Sequence, residues 1–432
     1  MYDYIIVGGG ITGLELGALL AHDGNKVLLL EQTKEVGGRA LLQKRDGYTV
    51  EYGIHLIRFG PKSAISRICR HLGHEVKYAD LGKSYLKDED GKVKVFPTSP
   101  GGFLTSKMFT LSERLKLIKL MTRLRRESFA DLKSVSVKEW MDREGIRGGM
   151  RRYFTLVSAS MMVCPFIEKS SIGEMLTNMQ KVLQTGRSVM YPLGGWEPLF
   201  NLFLEKIKEK GEVRVKTKVD RIVIEEGKAV GVKVGEELIR GKAVITCVPC
   251  QKLFPAILSE EDFPDDYVRM CKSQRPTSGV VLDYGIKRKI TGDSGLWYMW
   301  NPISFGIFTS NLCPELVPEG KQLLTWIYPT PREDMEDSSV AKNREEELER
   351  ALFELFPELE KNIEWRRALH LTMVDGVEVN IHQTSDKRPG FKVPGVESLF
   401  LLGDSTSAPG AGGDVGHESA LECYKTITGR EV

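Results

Sequence analysis

The sequence predicts an α/β protein of two domains, one built on a βαβ unit and the other a mixed α+β unit. Three observations carry this. The chain has 432 residues, more than a single hydrophobic core ordinarily serves. Its opening alternates apolar strand, glycine-rich turn, apolar helix and second apolar strand. Further on, residues 61–187 read as mostly helical, whereas 251–394 carries strand-like runs punctuated by Gly and Pro.

The first element is the short buried strand Tyr4-Ile5-Ile6-Val7, followed by Gly8, Gly10 and Gly13 in a GxGxxG turn. Leu14 to His22 is the helix and Lys26 to Leu30 the second strand, ending at Glu31. Gly8 permits the tight turn, Gly10 lets the backbone approach a pyrophosphate, and Gly13 lets helix and strand pack closely. A pyrophosphate would then sit on free N–H groups at the favourable end of a helix dipole. Glu31 stands where a carboxylate accepts ribose hydroxyls, and no neighbouring Arg awaits a 2′-phosphate. Strand, turn, helix, strand and acid in register make this a Rossmann-type dinucleotide fingerprint, with Thr12 and Gln32 completing its expected contacts.

Composition sets the outer limits. With 41% hydrophobic and 28% charged residues the chain is an ordinary globular one. A net charge of +2 speaks against nucleic acid as the main partner. The seven cysteines are odd in number and scattered, which suits reduced thiols in a cytoplasmic setting. Cys247 and Cys250 form the one CxxC pair, at what reads as a strand end, and no second pair completes a metal site. No stretch resembles a secretory signal, and no run of 18 apolar residues occurs.

The residues after the fingerprint separate FAD from NAD. Val36-Gly37-Gly38-Arg39-Ala40 comes directly after the second strand, and Gly47 to His55 lies beyond it. This resembles the GGR stretch of the flavin amine oxidase and phytoene desaturase superfamily. Two further blocks are similar to the same superfamily. The first runs from Tyr191-Pro192-Leu193-Gly194-Gly195 through a helix at Pro198 to Lys210 into three short strands. The second is Leu399 to Asp404 with Pro409 to Val415 and a closing helix. The resemblance implies non-covalent FAD, since no covalent attachment motif stands near the C-terminus and Cys423 lies deep in the last helix. It implies that Gly38 and Arg39 hold the pyrophosphate, that the Val219 amide meets the adenine, and that Gly403 and Asp404 take a ribityl or nearby hydroxyl. A last helix starting at Asp414 would aim the N–H groups of Asp414 and Val415 at the reduced flavin, unless Asp414 is simply its N-cap.

The matched segments are 1–60, 188–250 and 395–432, an FAD-binding domain into which 61–187 and 251–394 are inserted as a substrate cap. Helices are expected at Ala64 to Leu72, Leu111 to Leu124, Val137 to Glu144, Ser170 to Val182 and Asn343 to Phe356. Strands are expected at Gly279 to Tyr284, Gly306 to Thr309 and Leu323 to Tyr328. The basic, amphipathic stretch 106–133 reads either as a peripheral membrane contact or as a cap helix with a solvated basic face. The aromatics Trp297, Tyr298, Trp300, Phe305, Phe308, Trp326 and Tyr328 either line a cavity over the flavin or pack a β-meander core. His55 and His417 fall in cofactor-matching segments and are candidate proton acceptors or structural hydrogen-bonding residues.

The resemblance implies an FAD-dependent oxidoreductase that dehydrogenates or desaturates a small apolar, isoprenoid-like substrate by hydride transfer to flavin. A flavin amine oxidase is the alternative. A second alternative is a non-catalytic prenyl-protein-binding protein similar to the Rab GDP-dissociation inhibitors, against which the intact glycine, Glu31, Arg39 and Asp404 set argues. Oligomeric state stays open.

Overall fold

The computed structural model describes residues 1–186 and 188–432. Two seven-stranded sheets organise it. In the first, parallel strands run in the order Glu212–Arg214, Val27–Leu30, Tyr2–Val7, Glu237–Thr246. The long strand Glu237–Thr246 serves two neighbours on its other edge. Residues 237–240 pair antiparallel with Lys228–Val234, and residues 244–246 pair parallel with Leu399–Leu401. The last strand of the chain is thereby separated from the first by one strand only.

The second sheet takes the order Ile363–Leu371, Gly279–Ile286, Gln322–Pro329, Ser304–Ile307, Trp297–Met299, Ser84–Lys87, Val93–Phe96. Its last two strands come from the stretch expected to be mostly helical, and Ser84–Lys87 runs parallel to Trp297–Met299. The hairpin joining them turns at Asp90-Gly91, a dipeptide suited to positive φ. A small sheet of Ile57–Arg58, Val189–Pro192 and Tyr78–Asp80 ties the two regions together. The expected end of the first insert, 187, lies outside the described residues.

Helix Leu111–Leu124 has the expected bounds, closed at its start by a reciprocal Thr110/Glu113 capping box. Helices Ala64–His71, Val137–Arg143, Ile172–Thr185 and Ser338–Leu355 shift by a few residues from expectation. Among the elements that escaped the sequence pattern are helix Gly148–Met161 and strand Ile363–Leu371. The helix opens on Gly148-Gly149, a poor helical signal. A Cβ on Gly149 would stand 1.8 Å from the Met108 carbonyl oxygen, so close packing against that chain demands glycine there. The strand-like run at Gly306 to Thr309 is corrected too, since the strand is Ser304–Ile307 and a 3₁₀ turn comes after it at Thr309–Asn311.

The aromatic cluster divides by strand alternation. Tyr298 and Phe305 face a large cavity between the two sheets. Trp297, Phe308 and Trp326 lie on the opposite face, in a core closed by Leu348 and Leu352 of helix Ser338–Leu355. Tyr328 packs against that same core and Trp300 against the main one. Among the described residues no helix is long and apolar enough to cross a membrane.

Candidate active site

One cavity of about 1060 Å³ runs from the glycine turns of the first sheet to the underside of the second. Its first wall is backbone. Helix Ile11–His22 starts at Gly10 with no side-chain cap, and helix Gly413–Thr428 starts at Gly412, also uncapped. Both N-termini open on the cavity, so two sets of free N–H groups and two positive dipole ends converge there. A Cβ on Gly10 would meet nothing within 4 Å, as expected where a ligand passes close to the main chain. A Cβ on Gly13 would lie 2.4 Å from the Gly8 carbonyl oxygen. Gly13 is therefore a packing glycine and is not among the cavity-lining residues.

Glu31 is buried beside this wall. Its Oε2 accepts from the Gly9 N–H at 2.7 Å and its Oε1 from the Thr33 N–H at 2.8 Å. Each oxygen keeps a further lone pair for a ribose hydroxyl. Gly37 and Gly38 take positive φ, and the Gly37 N–H donates to the Gly9 carbonyl at 2.7 Å. The GGR loop is thus laid on the first turn. Arg39 then forms a bidentate pair with Asp404, at 2.6 Å for both bonds. Burial opposes the charge on Asp404, yet Arg39 and the Gly376 N–H hold its carboxyl below the ordinary range. Gly8, Thr12, Gln32, Gly38, Arg39 and Gly403 line the cavity with Glu31 and Asp404.

Two expected contacts stand elsewhere. Val219 does not line the cavity and is buried with Val7 and Leu30 in a separate core. It precedes the strand Arg221–Glu225, and the connection leading to it meets Glu31 through the Thr217 N–H, which donates to the Glu31 carbonyl at 2.8 Å. Val415 is fully buried, its N–H already donating to the Gly412 carbonyl. The N-cap reading of Asp414 is also corrected. The cap is Gly412, at φ 62°, and the helix begins at Gly413. Asp414 lines the cavity with a buried Oδ2 that has no partner. Burial, with Glu418 adding repulsion against Lys181, Arg58 and His417, pushes its carboxyl up to about 6.

Both candidate histidines line the cavity on either side of Trp196. His55 stands edge-on to it and His417 is stacked on it, each 6.0 Å between ring centroids. His417 Nδ1 lies 2.7 Å from Oε1 of the fully buried Glu15. Burial works against the imidazolium, but Glu15, with Asp414 and Glu418, raises the His417 pKa overall. An imidazolium has no lone pair to accept a proton, so His417 could act as a base only above its raised pKa. His55 has no such partner. Its Nδ1 is 3.5 Å from Glu51 Oε2, beyond normal hydrogen-bond length, and both atoms lack a bond.

The far end of the cavity is a box of rings. Phe96 stacks on Tyr298 at 4.3 Å and on Tyr153 at 5.3 Å, and Phe103 meets Tyr153 edge-on at 5.2 Å. Phe305, Met161, Met179, Val157 and Leu183 continue the lining. Sequence reasoning missed most of this wall, and it also missed Arg58 and Asp375. Arg58 stood three residues beyond His55 in a segment already singled out. Asp375 comes after an unforeseen strand, and no local signal marked it. Burial, reinforced by Asp404, pushes the Asp375 carboxyl up to about 6. The CxxC pair proves to be two free thiols. Cys247 lines the cavity, with its Sγ 3.0 Å from where a Gly13 Cβ would be.

The family described as "Flavin containing amine oxidoreductase" matches residues 11–421 of this chain. The chain belongs to that family. It is 24% identical over 477 residues to the 15-cis-phytoene desaturase of Capsicum annuum, covering 99% of this chain and 79% of the relative. An oxidoreductase from Methanosarcina mazei has the same fold, with a TM-score of 0.81 at 19% identity over 99% of this chain and 100% of the other. Putrescine oxidase with putrescine bound aligns at a TM-score of 0.72 and 17% identity, over 99% of both chains. The family makes this an FAD-dependent oxidoreductase. The residues fit that cofactor: Gly10 leaves room for it, two uncapped helix ends face it, and the orphaned Asp414 Oδ2 offers it a polar contact.

Proposed function

We propose that the enzyme dehydrogenates an apolar, isoprenoid-like substrate held in the ring-lined arm of the cavity. The observation that carries this is the distribution of charge. The carboxylates lining the cavity are Glu31, Glu35, Asp375, Asp404 and Asp414 among the described residues, and all belong to the cofactor end. The arm itself presents chiefly rings, thioethers and aliphatic groups, with the Ser160 hydroxyl among them, a lining that favours an apolar molecule through area removed from water. Bound FAD supplies the two-electron acceptor for such a dehydrogenation. Glu31 would hold its ribose, the two helix ends its negative charge, and the rings of the arm would keep water from the reacting carbon. His55, whose ring lines the cavity, is the proton acceptor in this reading.

Amine oxidation is the second reading, because a box of rings also binds ammonium groups through cation–π attraction. Arg58 stands against it, since its charge acts on Tyr298 within that box. Anaerobic mixing of the holoenzyme with long-chain apolar compounds and with aliphatic diamines decides between the two. Bleaching of the flavin by apolar compounds alone supports dehydrogenation, and bleaching by diamines alone replaces it with amine oxidation.

FAD is held without a covalent bond in this reading. Cys423 is fully buried in the last helix and does not line the cavity. Acid precipitation should leave the flavin in the supernatant and the pellet colourless. The helix Leu111–Leu124 offers the way in from a lipid surface. Met121 and Leu124 line the cavity, while Leu111, Leu115 and Ile118 stand 73%, 62% and 47% exposed near Lys119, Arg125 and Arg126. Co-sedimentation with anionic vesicles, weakened by salt, tests this contact. Absence of binding at low salt leaves a cap helix with a solvated face.

A further inference from the structure

Among the described residues Arg58 is the cavity-lining arginine that is neither ion-paired nor exposed, whereas Arg125 and Lys252, which also line the cavity, stand exposed. It sits in the two-residue strand Ile57–Arg58, paired with Val189–Met190 of the strand beneath the cap. Its Nη2 donates to the Met161 carbonyl at the end of helix Gly148–Met161. Among the described residues no carboxylate comes within ion-pairing distance of it. The other cavity arginine of the cofactor end, Arg39, is by contrast locked on Asp404 at both nitrogens. A guanidinium has five N–H donors, and a single carbonyl leaves most of them unused. Half-buried on the cavity, Arg58 keeps those donors free for an anion that arrives with a ligand.

Its position says which ligand. A Cβ on Gly412 would stand 3.5 Å from Arg58 Nη2 and 3.9 Å from Asp375 Oδ2, which puts the guanidinium beside the uncapped start of the last helix. From there it reaches toward Met161 and acts on Tyr298, both residues of the ring-lined arm. It therefore stands at the junction between the cofactor end and the arm. Burial lowers its pKa, with Asp414 and Asp375 as the nearest opposing charges.

We propose that Arg58 is the head-group anchor of the substrate, and that the arm takes an apolar chain or ring system ending in a carboxylate. The planar fork of a guanidinium matches the two oxygens of a carboxylate, a geometry that a lysine could not reproduce. This rests on the proposed apolar reading of the arm and narrows it from hydrocarbons to acidic amphiphiles. The apolar body lies among Phe96, Tyr153, Tyr298 and Phe305, and the head group turns back toward the last helix.

The test is a pair of ligands of equal chain length, dodecanoate and dodecan-1-ol, titrated into the FAD-loaded enzyme and read from the visible absorbance of the flavin. The wild type should bind dodecanoate about ten- to hundredfold tighter, the range of hydrogen bonds to a charged group. Arg58→Gln should abolish the preference by weakening dodecanoate alone, and Arg58→Lys should keep part of it. Flavin content and thermal melts identify variants that have folded. Equal affinity for both ligands in the wild type overturns the proposal and leaves the apolar reading standing. So does a preference that survives in Arg58→Gln while the flavin midpoint potential shifts, because the charge would then serve the cofactor. Failure of both ligands to perturb the flavin overturns the apolar reading, and the anchor with it.

Discussion

At the cofactor end of the cavity the wall is largely main chain, and two pairs of charges are tied there, Arg39 on Asp404 and His417 on Glu15. At the other end the wall is side chain, contributed by Phe96, Phe103, Tyr153, Met179, Tyr298 and Phe305 from separate elements or their flanks. The first construction fixes a constant partner, a dinucleotide, through glycines and helix ends whose geometry tolerates little change. The second shapes a space by packing, and packing tolerates substitution as long as volume and polarity are kept. One cavity thus has a rigid end and an adaptable end. Substitutions at the first should cost stability or flavin, and substitutions at the second should cost ligand alone.

The largest expected effect is at the buried pair under Trp196. Glu15→Gln leaves His417 without its counter-charge, and breaking a buried pair costs about 3–5 kcal/mol. The pH dependence has a definite sign. The folded-state pKa of His417 lies above its ordinary 6.5. The stability it contributes is therefore whole below about pH 6.5 and lost as pH rises through the raised value. Urea melts should show a wide gap between wild type and variant at about pH 6 and a narrower one at about pH 9. A gap of constant width would mean that the pair is not charged.

Asp414 comes next, with the pH trend in another window. Its carboxyl is raised from 3.8 to about 6, so the folded state holds its proton more tightly than the unfolded chain does. Stability falls as pH rises between those values and levels off above them. Asp414→Asn should therefore match the wild type near pH 4 and exceed it by about 2–3 kcal/mol above pH 6, at about 1.36 kcal/mol per pKa unit. Thermal melts across that range check it, and a variant less stable at about pH 7 would contradict the burial argument.

Glu31→Ala tests the rigid end through its ligand. It removes the acceptor of the Gly9 and Thr33 N–H groups and the expected ribose contact. FAD should bind about 1.5–3 kcal/mol more weakly by calorimetry on the apoprotein. Unchanged affinity would remove Glu31 from the cofactor site. The adaptable end should answer differently. Ser160 lines the arm from helix Gly148–Met161, and Ser160→Trp fills space there. Flavin content should stay at the wild-type level while affinity for dodecan-1-ol drops about tenfold, the loss of roughly one partly buried apolar group. Loss of flavin together with ligand would break the division between the two ends.

The same division governs how much the sequence disclosed. The rigid end was legible because backbone conformation is written in glycine. Gly8, Gly37 and Gly38 take φ values that side chains disfavour, and Gly13 has no room for a Cβ. Arg39 and Asp404 were named, but their bond to each other was not, since it joins residues 365 positions apart. The arm was illegible because rings mark a core and a cavity wall alike. Only strand alternation separates Trp297 from Tyr298, and Phe103 and Tyr153 reach the cavity through helices whose inward faces no period reveals. Helix Gly148–Met161 was hidden by its opening glycines, which serve close packing.

The central claim is dehydrogenation of an apolar molecule at the adaptable end, and the product of a single anaerobic turnover tests it most directly. Mass spectrometry of an apolar compound that bleaches the flavin should show the loss of two hydrogens per flavin reduced, with the carbon skeleton intact. Slowing of that reduction in His55→Ala by roughly 10²–10⁴-fold, with FAD retained, would place the proton on His55. Release of ammonia with an aldehyde from an amine, and no hydrogen loss from any apolar compound, would contradict the account.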